Sequence, residues 1–293
     1  MLHIDAVTKT YPGVRALDRA TLDVGPGVFG LLGPNGAGKS TLMQVIATLL
    51  DPDAGGVSFD GVNFLSQRLS ARRLLGYLPQ DFGFYPTLTA RQTMSYFARL
   101  KGMALRDERG RAIDALLDRV NLLDVRDRRV GGFSGGMRQR LGIAQALLGA
   151  PRLIIVDEPT AGLDPEERNR FHDLLADAAA NDIVVLLSTH IVADVANLCS
   201  RFAILQKGKI VGVDTPSSAL ATLRGSVFEA SISSAALNAL PPEVAVISTR
   251  RFEGALRVRV FASGGPPSSA FSVADPTLED YYFSVLREDG AVN

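Results

Sequence analysis

The stretch "GLLGPNGAGKST", Gly30 to Thr41, holds the residues whose types and spacing speak most directly of chemistry. Gly33, Gly38, Lys39 and Ser40 satisfy the spacing G-x-x-x-x-G-K-[ST], a loop built to hold the phosphates of a nucleotide. Glycines let successive backbone N–H groups turn inward around phosphate oxygens where a side chain would stand in the way. The N-terminus of the following helix adds the positive end of its dipole. Lys39 can reach the β- and γ-phosphates, and the Ser40 hydroxyl can complete the shell of a Mg²⁺ ion. The nucleotide-binding candidates are therefore Gly33, Asn35, Gly36, Gly38, Lys39, Ser40 and Thr41. The flanks agree: "VFGLL" (28–32) reads as a buried strand, and Leu42, Val45, Ile46 and Leu49 mark one face of a helix after the loop.

A second acidic element follows in "RLIIVDEPTAGLD" (152–164). The apolar run Leu153 to Val156 suits a parallel strand buried on both faces. Asp157 and Glu158 then fall at its carboxyl end, the side on which open α/β sheets bind ligands. A carboxylate there calls for a cation, so Asp157 is expected to face Mg²⁺, directly or through water. Glu158 has the position of a base that polarises the attacking water. Alone, Asp-Glu after a strand could simply cap the next helix; beside a phosphate loop it reads as half of a site. At this point an ATPase, a GTPase and a small-molecule kinase all remain open.

The stretch "GGFSGGMRQRLGIAQALL" (131–148) narrows the choice. A serine and two glycines present consecutive N–H groups and a hydroxyl at the head of an amphipathic helix marked by Leu141, Ala144, Leu147 and Leu148, which makes a second anion-binding element. Two phosphate binders in one chain suggest that the second serves a neighbour's nucleotide, and a metabolic kinase leaves it unexplained. Taken in order, "GPNGAGKST", "YLPQ", "FSGGMRQR", "LIIVDEPTAGLD" and "LSTH" resemble the nucleotide-binding subunit of an ABC transporter over about residues 2 to 220.

That resemblance implies two cassettes closing head to tail around two ATP molecules. Ser134, Gly135 and Gly136 would contact the γ-phosphate held by the partner chain. The family's usual signature is L-S-G-G-Q, from which Phe133 and Met137 depart without touching the S-G-G donors. Gln80 matches the loop glutamine that senses Mg²⁺ and moves against the membrane subunit. His190 matches the histidine that contacts the γ-phosphate and the attacking water. Asp164 matches the aspartate that crosses the dimer interface, and Tyr11 sits where an aromatic ring stacks on adenine. Without the motif order, Gln80 would read as a turn residue, His190 as structural, and Asp164 before Pro165 as a helix cap.

These residues need an α/β core to hold them: a P-loop cassette with a mostly parallel sheet over residues 1–224, carrying an inserted helical region near 83–150. "TLTARQTMSYFARLKGM" and "RGRAIDALLDRVNLL" have the helical spacing for that insert. No long heptad run interrupts it, which argues against repair proteins with coiled-coil arms. Near Gly225 the pattern changes. "SVFEASIS", "EVAVIST" and "ALRVRVFA" alternate like strands, and "DPTLEDYYFSVLRE" reads as a capped helix. Residues 225–293 thus form a small α+β extension, and "TLEDYYFSVL" resembles the C-terminal piece of ATPase subunits from drug-resistance exporters.

Bulk properties set the remaining bounds. The 293 residues are 46% hydrophobic and 21% charged, the balance of a folded globular protein. The 31 basic and 31 acidic residues cancel, which gives no basic stripe for nucleic acid. "RLSARR" and "RDRR" read as solvated faces. Cys199 alone cannot form an internal disulfide. The first residues lack the build of a signal peptide, and no apolar run approaches the ~20 residues of a membrane helix. The expected protein is the ATPase subunit of an exporter whose permease is a separate chain. It would be cytoplasmic and peripheral at the inner face of the cell membrane. It would use ATP and Mg²⁺ and pair with a second ATPase subunit, without nucleic acid. The competing reading is a soluble ABC ATPase acting on ribosomes or nucleic acid, although such factors usually carry two cassettes.

Overall fold

The computed structural model describes residues 1–290 except 104, 161–162, 181, 242–243 and 253–254. Ala161 and Gly162 of "VDEPTAGLD" therefore lie outside the described residues. The centre of the molecule is a six-stranded sheet in the order β10-β9-β3-β8-β7-β6. Its strands are β3 (Gly27–Leu32), β6 (Leu75–Leu78), β7 (Leu153–Asp157), β8 (Val184–Thr189), β9 (Arg201–Gln206) and β10 (Lys209–Asp214). All neighbours pair in parallel except the β9–β10 hairpin. β7 and β8 are buried along their whole length, as expected of strands covered on both faces.

Alternation along these strands divides the core in two. Val28, Leu32, Ile154, Val156, Val185 and Leu187 face one cluster, shared with α3 (Ala90–Leu100), α4 (Arg106–Arg119), α5 (Gly135–Ala146) and α6 (Pro165–Ala179). Phe29, Leu31, Leu153, Ile155, Val184 and Leu186 face the other, shared with α1 (Lys39–Ile46), α2 (Arg68–Leu74) and an antiparallel sheet. That sheet has the order β2-β1-β4-β5, from β1 (Leu2–Tyr11), β2 (Val14–Val24), β4 (Ala54–Phe59) and β5 (Val62–Asn63).

The helices start where their caps dictate. Thr89 and Gln92 close a reciprocal capping box on α3. Ser134 caps α5 and Asp164 caps α6 with Pro165 at its first turn. The first helix ends sooner than the sequence spacing suggests. α1 stops at Ile46, and Leu49 lies beyond it at 63% exposure, so only Leu42, Val45 and Ile46 are buried.

After α7 (Val192–Leu198) and α8 (Pro216–Thr222), a third sheet in the order β12-β13-β11-β14 is built from β11 (Val227–Ile232), β12 (Ala245–Phe252), β13 (Ala255–Phe261) and β14 (Ser272–Val273). Phe228, Ala230, Val258 and Val260 form its own core with the short α9 (Ser234–Asn238) close by. α10 (Leu278–Gly290) returns the chain to the central body, where Leu278 and Tyr282 join the large cluster. Arg259 on β13 pairs at 2.7 Å with the buried Asp280 of α10, which ties the sheet to that helix. The sequence-based expectation of a P-loop α/β cassette, a mostly parallel sheet, inserted helices and a small α+β extension is met.

Candidate active site

Four strands of the central sheet deliver their carboxyl ends to one edge, and the phosphate-loop residues, Gln80, Asp157, Glu158 and His190 leave from that edge. β3 runs into the phosphate loop, β7 ends in Asp157, β8 in Thr189 just before His190, and β6 two residues before Gln80. Parallel pairing of β6 with β7 and of β7 with β8 sets the edge by register, with Leu78 opposite Val156 and Asp157 opposite Ser188.

The loop between β3 and α1 is shaped by backbone limits. Gly38 has φ 107°, and a Cβ there would lie 2.3 Å from the Ala16 carbonyl oxygen, so no other residue fits. Gly33 is equally confined, 2.4 Å from the Leu205 carbonyl oxygen. Gly36 also has positive φ but faces open space. Asn35 and Gly36 are exposed, while Ser40 and Thr41 are half-buried in the first turn of α1. Lys39 is only 4% exposed, and its Nζ donates to the carbonyls of Gly33 at 2.8 Å and Pro34 at 3.2 Å. The lysine is thereby folded back over its own loop.

The acidic pair meets this lysine. Glu158 Oε1 lies 3.2 Å from Lys39 Nζ and Oε2 lies 3.1 Å from His190 Nδ1, so one carboxylate spans the phosphate-loop lysine and the histidine after β8. Glu158 takes a left-handed φ of 46°, held by its N–H donating to the Ser188 carbonyl and hydroxyl. A left-handed backbone at a non-glycine residue persists only where the surrounding structure holds it. Asp157 is 2% exposed and accepts a hydrogen bond from the Ser188 hydroxyl. Burial pushes its carboxyl above the usual carboxylate range; the nearby Glu158 charge adds to this, while hydrogen bonds from Ser188 and Ser40 and the charge of Lys39 oppose it. Partial burial and the nearby Asp157 charge push the half-buried Tyr77 up to about 12.

This donor set fits a Mg²⁺ ion bound with a nucleotide. A buried carboxylate whose charge is costly stands within hydrogen-bonding reach of the Ser40 hydroxyl, and both offer hard oxygen ligands. No cluster of three or more acidic, His or Cys side chains able to hold a metal occurs among the described residues.

The remaining candidates stand outside the ion-pair cluster. Ser134 and Gly135 are exposed at the head of α5, where the Ser134 oxygen accepts from Met137 N–H at 3.2 Å and keeps its own proton to donate. Gly136 is buried against Glu167. Of the two positions that depart from the usual signature, Phe133 is buried in the core at 4% exposure and Met137 packs at its margin, so both point away from the S-G-G donors. Asp164 accepts from Glu167 N–H at 2.8 Å as the cap of α6. Tyr11 ends β1 at 39% exposure, and Gln80 is exposed in the bend after β6.

Two functional groups escaped the sequence reading. Ser188 supports both Asp157 and the Glu158 backbone, and its signal was a hydroxyl residue ending the apolar run "IVVLL". Asp194, wholly buried, binds Thr160 at 2.5 Å and Thr189 at 3.3 Å, which ties the loop after Glu158 to the residue before His190. An aspartate four residues after that histidine on a helix was the available signal.

A family model described as "ABC transporter" matches residues 17–161. The daunorubicin resistance ATP-binding protein DrrA3 of Streptomyces coeruleorubidus is 33% identical over 99% of this chain and 96% of its own length. The Nod factor export ATP-binding protein I of Burkholderia thailandensis is 36% identical, over 72% and 69% respectively. Among solved structures, a dimeric ATP-binding cassette in a post-hydrolysis state bound to ADP and Pi superposes with a TM-score of 0.66. It is 26% identical, and the match covers 73% of this chain and 98% of that one.

The raised pKa of Asp157 yields a prediction. A carboxyl held above its unfolded value binds its proton more tightly in the folded chain. Its contribution to stability is present at low pH and lost as pH rises through the folded pKa. Near neutral pH, Asp157→Asn is therefore expected to raise the melting temperature of the protein without nucleotide and to abolish Mg-dependent ATP hydrolysis. Scanning calorimetry and phosphate release check the two parts; a lowered melting temperature would show that the hydrogen bonds from Ser188 and Ser40, with the charge of Lys39, outweigh burial.

Proposed function

The chain belongs to the ABC transporter family, and on that premise we propose that it powers export through a separate membrane permease by ATP-driven closure of two cassettes. It is an ATPase, the ATP-binding subunit of a transporter. In our reading residues 1–224 are the cassette and 225–293 an extension. The observation that carries the proposal is the division of phosphate-binding groups: Lys39, Glu158 and His190 meet at one sheet edge, while the S-G-G donors stand at the head of α5 outside that cluster. A second chain in head-to-tail order would bring its Ser134, Gly135 and Gly136 to the phosphates held by Lys39. The dimeric form of the solved cassette supports this arrangement.

Within one composite site the roles follow from chemistry. The amides of Asn35 to Thr41 and the Lys39 ammonium bind the β- and γ-phosphates, and Tyr11 stacks on the adenine. Ser40, Asp157 and Gln80 would hold Mg²⁺, which when bound would neutralise phosphate charge. Glu158 takes a proton from the attacking water, oriented with His190. The partner's S-G-G donors stabilise charge growing on the γ-phosphate oxygens. Asp164 approaches the partner across the interface, and Gln80 carries the state of the site toward the permease.

No helix among the described residues is long and apolar enough to cross a membrane. We place the chain in the cytoplasm, held at the inner face of the cell membrane by its permease; names of relatives such as the Nod factor export protein support outward transport.

Two results are expected. Glu158→Gln keeps the shape of the side chain but not its basicity, so it should bind ATP, lose hydrolysis by roughly 10²- to 10⁴-fold and accumulate an ATP-bound dimer in light scattering. A variant that still turns over would move the base elsewhere. Expressed alone, the chain should remain in the supernatant, and with its cognate permease it should move to the membrane pellet. Firm membrane binding by the lone chain would contradict the proposal.

A further inference from the structure

The terminal sheet fronts a cavity that ATP chemistry does not use. β11 and β13 turn Phe228, Ala230, Val258 and Val260 into the core of that sheet. The alternating residues Glu229, Arg257 and Arg259, with Ser248 and Arg250 of β12, fall on the opposite face and floor a cavity of about 690 Å³ walled by α7 and α10. That volume is in the range of small-molecule sites. The charges on the floor are unevenly satisfied. Arg259 is fully engaged: it bonds Asp280 at 2.7 and 3.1 Å, the Asp275 carbonyl at 2.8 Å and Glu229 at 3.3 Å. Among the described residues, Arg257 has only Glu229, at 2.5 Å. Arg250 reaches Glu279 at 3.4 Å with both side chains exposed, a pair worth little. The register sets Arg250 directly opposite Arg257, where like charges work against sheet pairing. With Arg251 also on the lining, four arginines face the three carboxylates of Glu229, Glu279 and Asp280, which leaves one positive charge in excess.

The walls are of another kind. α7 presents Val192 and the exposed methyl groups of Ala193 and Ala196, and α10 presents Leu278 and the exposed ring of Phe283. Two small residues leave room beside an aromatic face that has water against it. We propose that this cavity binds a small amphipathic carboxylate, with its apolar body against α7 and Phe283 and its carboxylate between Arg250 and Arg257. A carboxylate has two oxygens for two flat guanidinium forks, and its single charge matches the single excess cation better than a doubly charged phosphate does. Its arrival separates the facing arginines electrostatically and displaces only the exposed Glu279 from Arg250. Glu229 and Asp280 stay with Arg257 and Arg259, so the tie between the sheet and α10 is kept. The cavity is built by one chain, independently of the proposed dimer.

The probe is 2-naphthoate, titrated calorimetrically into the full chain with ADP filling the phosphate loop, beside uncharged 2-naphthamide and inorganic phosphate. One 2-naphthoate per chain is expected, with a Kd of about 1 mM or tighter. The amide and inorganic phosphate should each bind at least roughly 10-fold more weakly, for want of the charge or of the apolar body. Arg250→Gln removes one guanidinium at an exposed position; it should weaken 2-naphthoate by roughly 10-fold and leave 2-naphthamide unchanged. Ala196→Phe fills the apolar end and should abolish binding of 2-naphthoate, and Phe283→Ala should weaken it. Because all three positions are exposed, each variant should keep its ADP affinity, which reports a folded cassette. Equal affinity for the acid and the amide would make the cavity a plain apolar cleft, and equal affinity for phosphate a plain cationic patch. Unchanged binding in the Arg250→Gln chain would put the probe elsewhere. Each of these results, or no saturable binding of 2-naphthoate, overturns the proposal.

Discussion

A carboxylate at the end of a strand buried on both faces is expensive unless donors and cations converge on it. Asp157 is that group, and much of the molecule is arranged around it. Ser188 reaches it from the neighbouring strand, Ser40 from the first turn of α1, and Lys39 from the same turn. Their convergence requires β3, β7 and β8 to run in parallel and in register, so that one sheet edge gathers three connections. The two large core clusters on either side hold that register, since a one-residue slip would turn every apolar side chain to the wrong face. What remains uncompensated at Asp157 would favour a hard cation there, as the proposed function requires.

The same edge separates two kinds of phosphate binder. The loop before α1 is closed tightly by its own chain: Gly33 and Gly38 press against the carbonyls of Leu205 and Ala16, and Lys39 bonds back to Gly33. The head of α5 is open, with Ser134 and Gly135 exposed and the hydroxyl proton free to be given. A preformed cradle beside an exposed donor set is what the proposed sharing of a site between chains rests on.

How far this could be read from the sequence depended on how local each signal is. The phosphate loop, the strand ending in Asp157 and Glu158, and the capped heads of α5 and α6 are short segments whose chemistry is carried by adjacent residues, and the structure has them where the spacing placed them. β1 was harder. Ala6 has a positive φ and the pairing with β2 shifts between Ile4 and Val7, so the bulge breaks the two-residue alternation that announces a strand. Leu49 keeps helical spacing but follows the end of α1, where Thr48 already has φ 59°. Ser188 and Asp194 were silent because their meaning lies in partners 31 and 34 residues away along the chain. Only the packed fold supplies those partners.

The most direct measurement asks whether one chain or two build a site. Two mixed dimers are compared for ATP occlusion, using differently tagged chains. In the first, one chain carries Lys39→Ala and the other Ser134→Arg; in the second, both substitutions are in one chain and its partner is wild type. A site made of Lys39 from one chain and Ser134 from the other leaves the first dimer with one intact site and one doubly damaged site. The second dimer then has two damaged sites. Occlusion is therefore expected in the first pairing and lost in the second. Occlusion only in the second pairing, where one chain is wholly unaltered, would show that each chain builds its own site and would contradict the shared one.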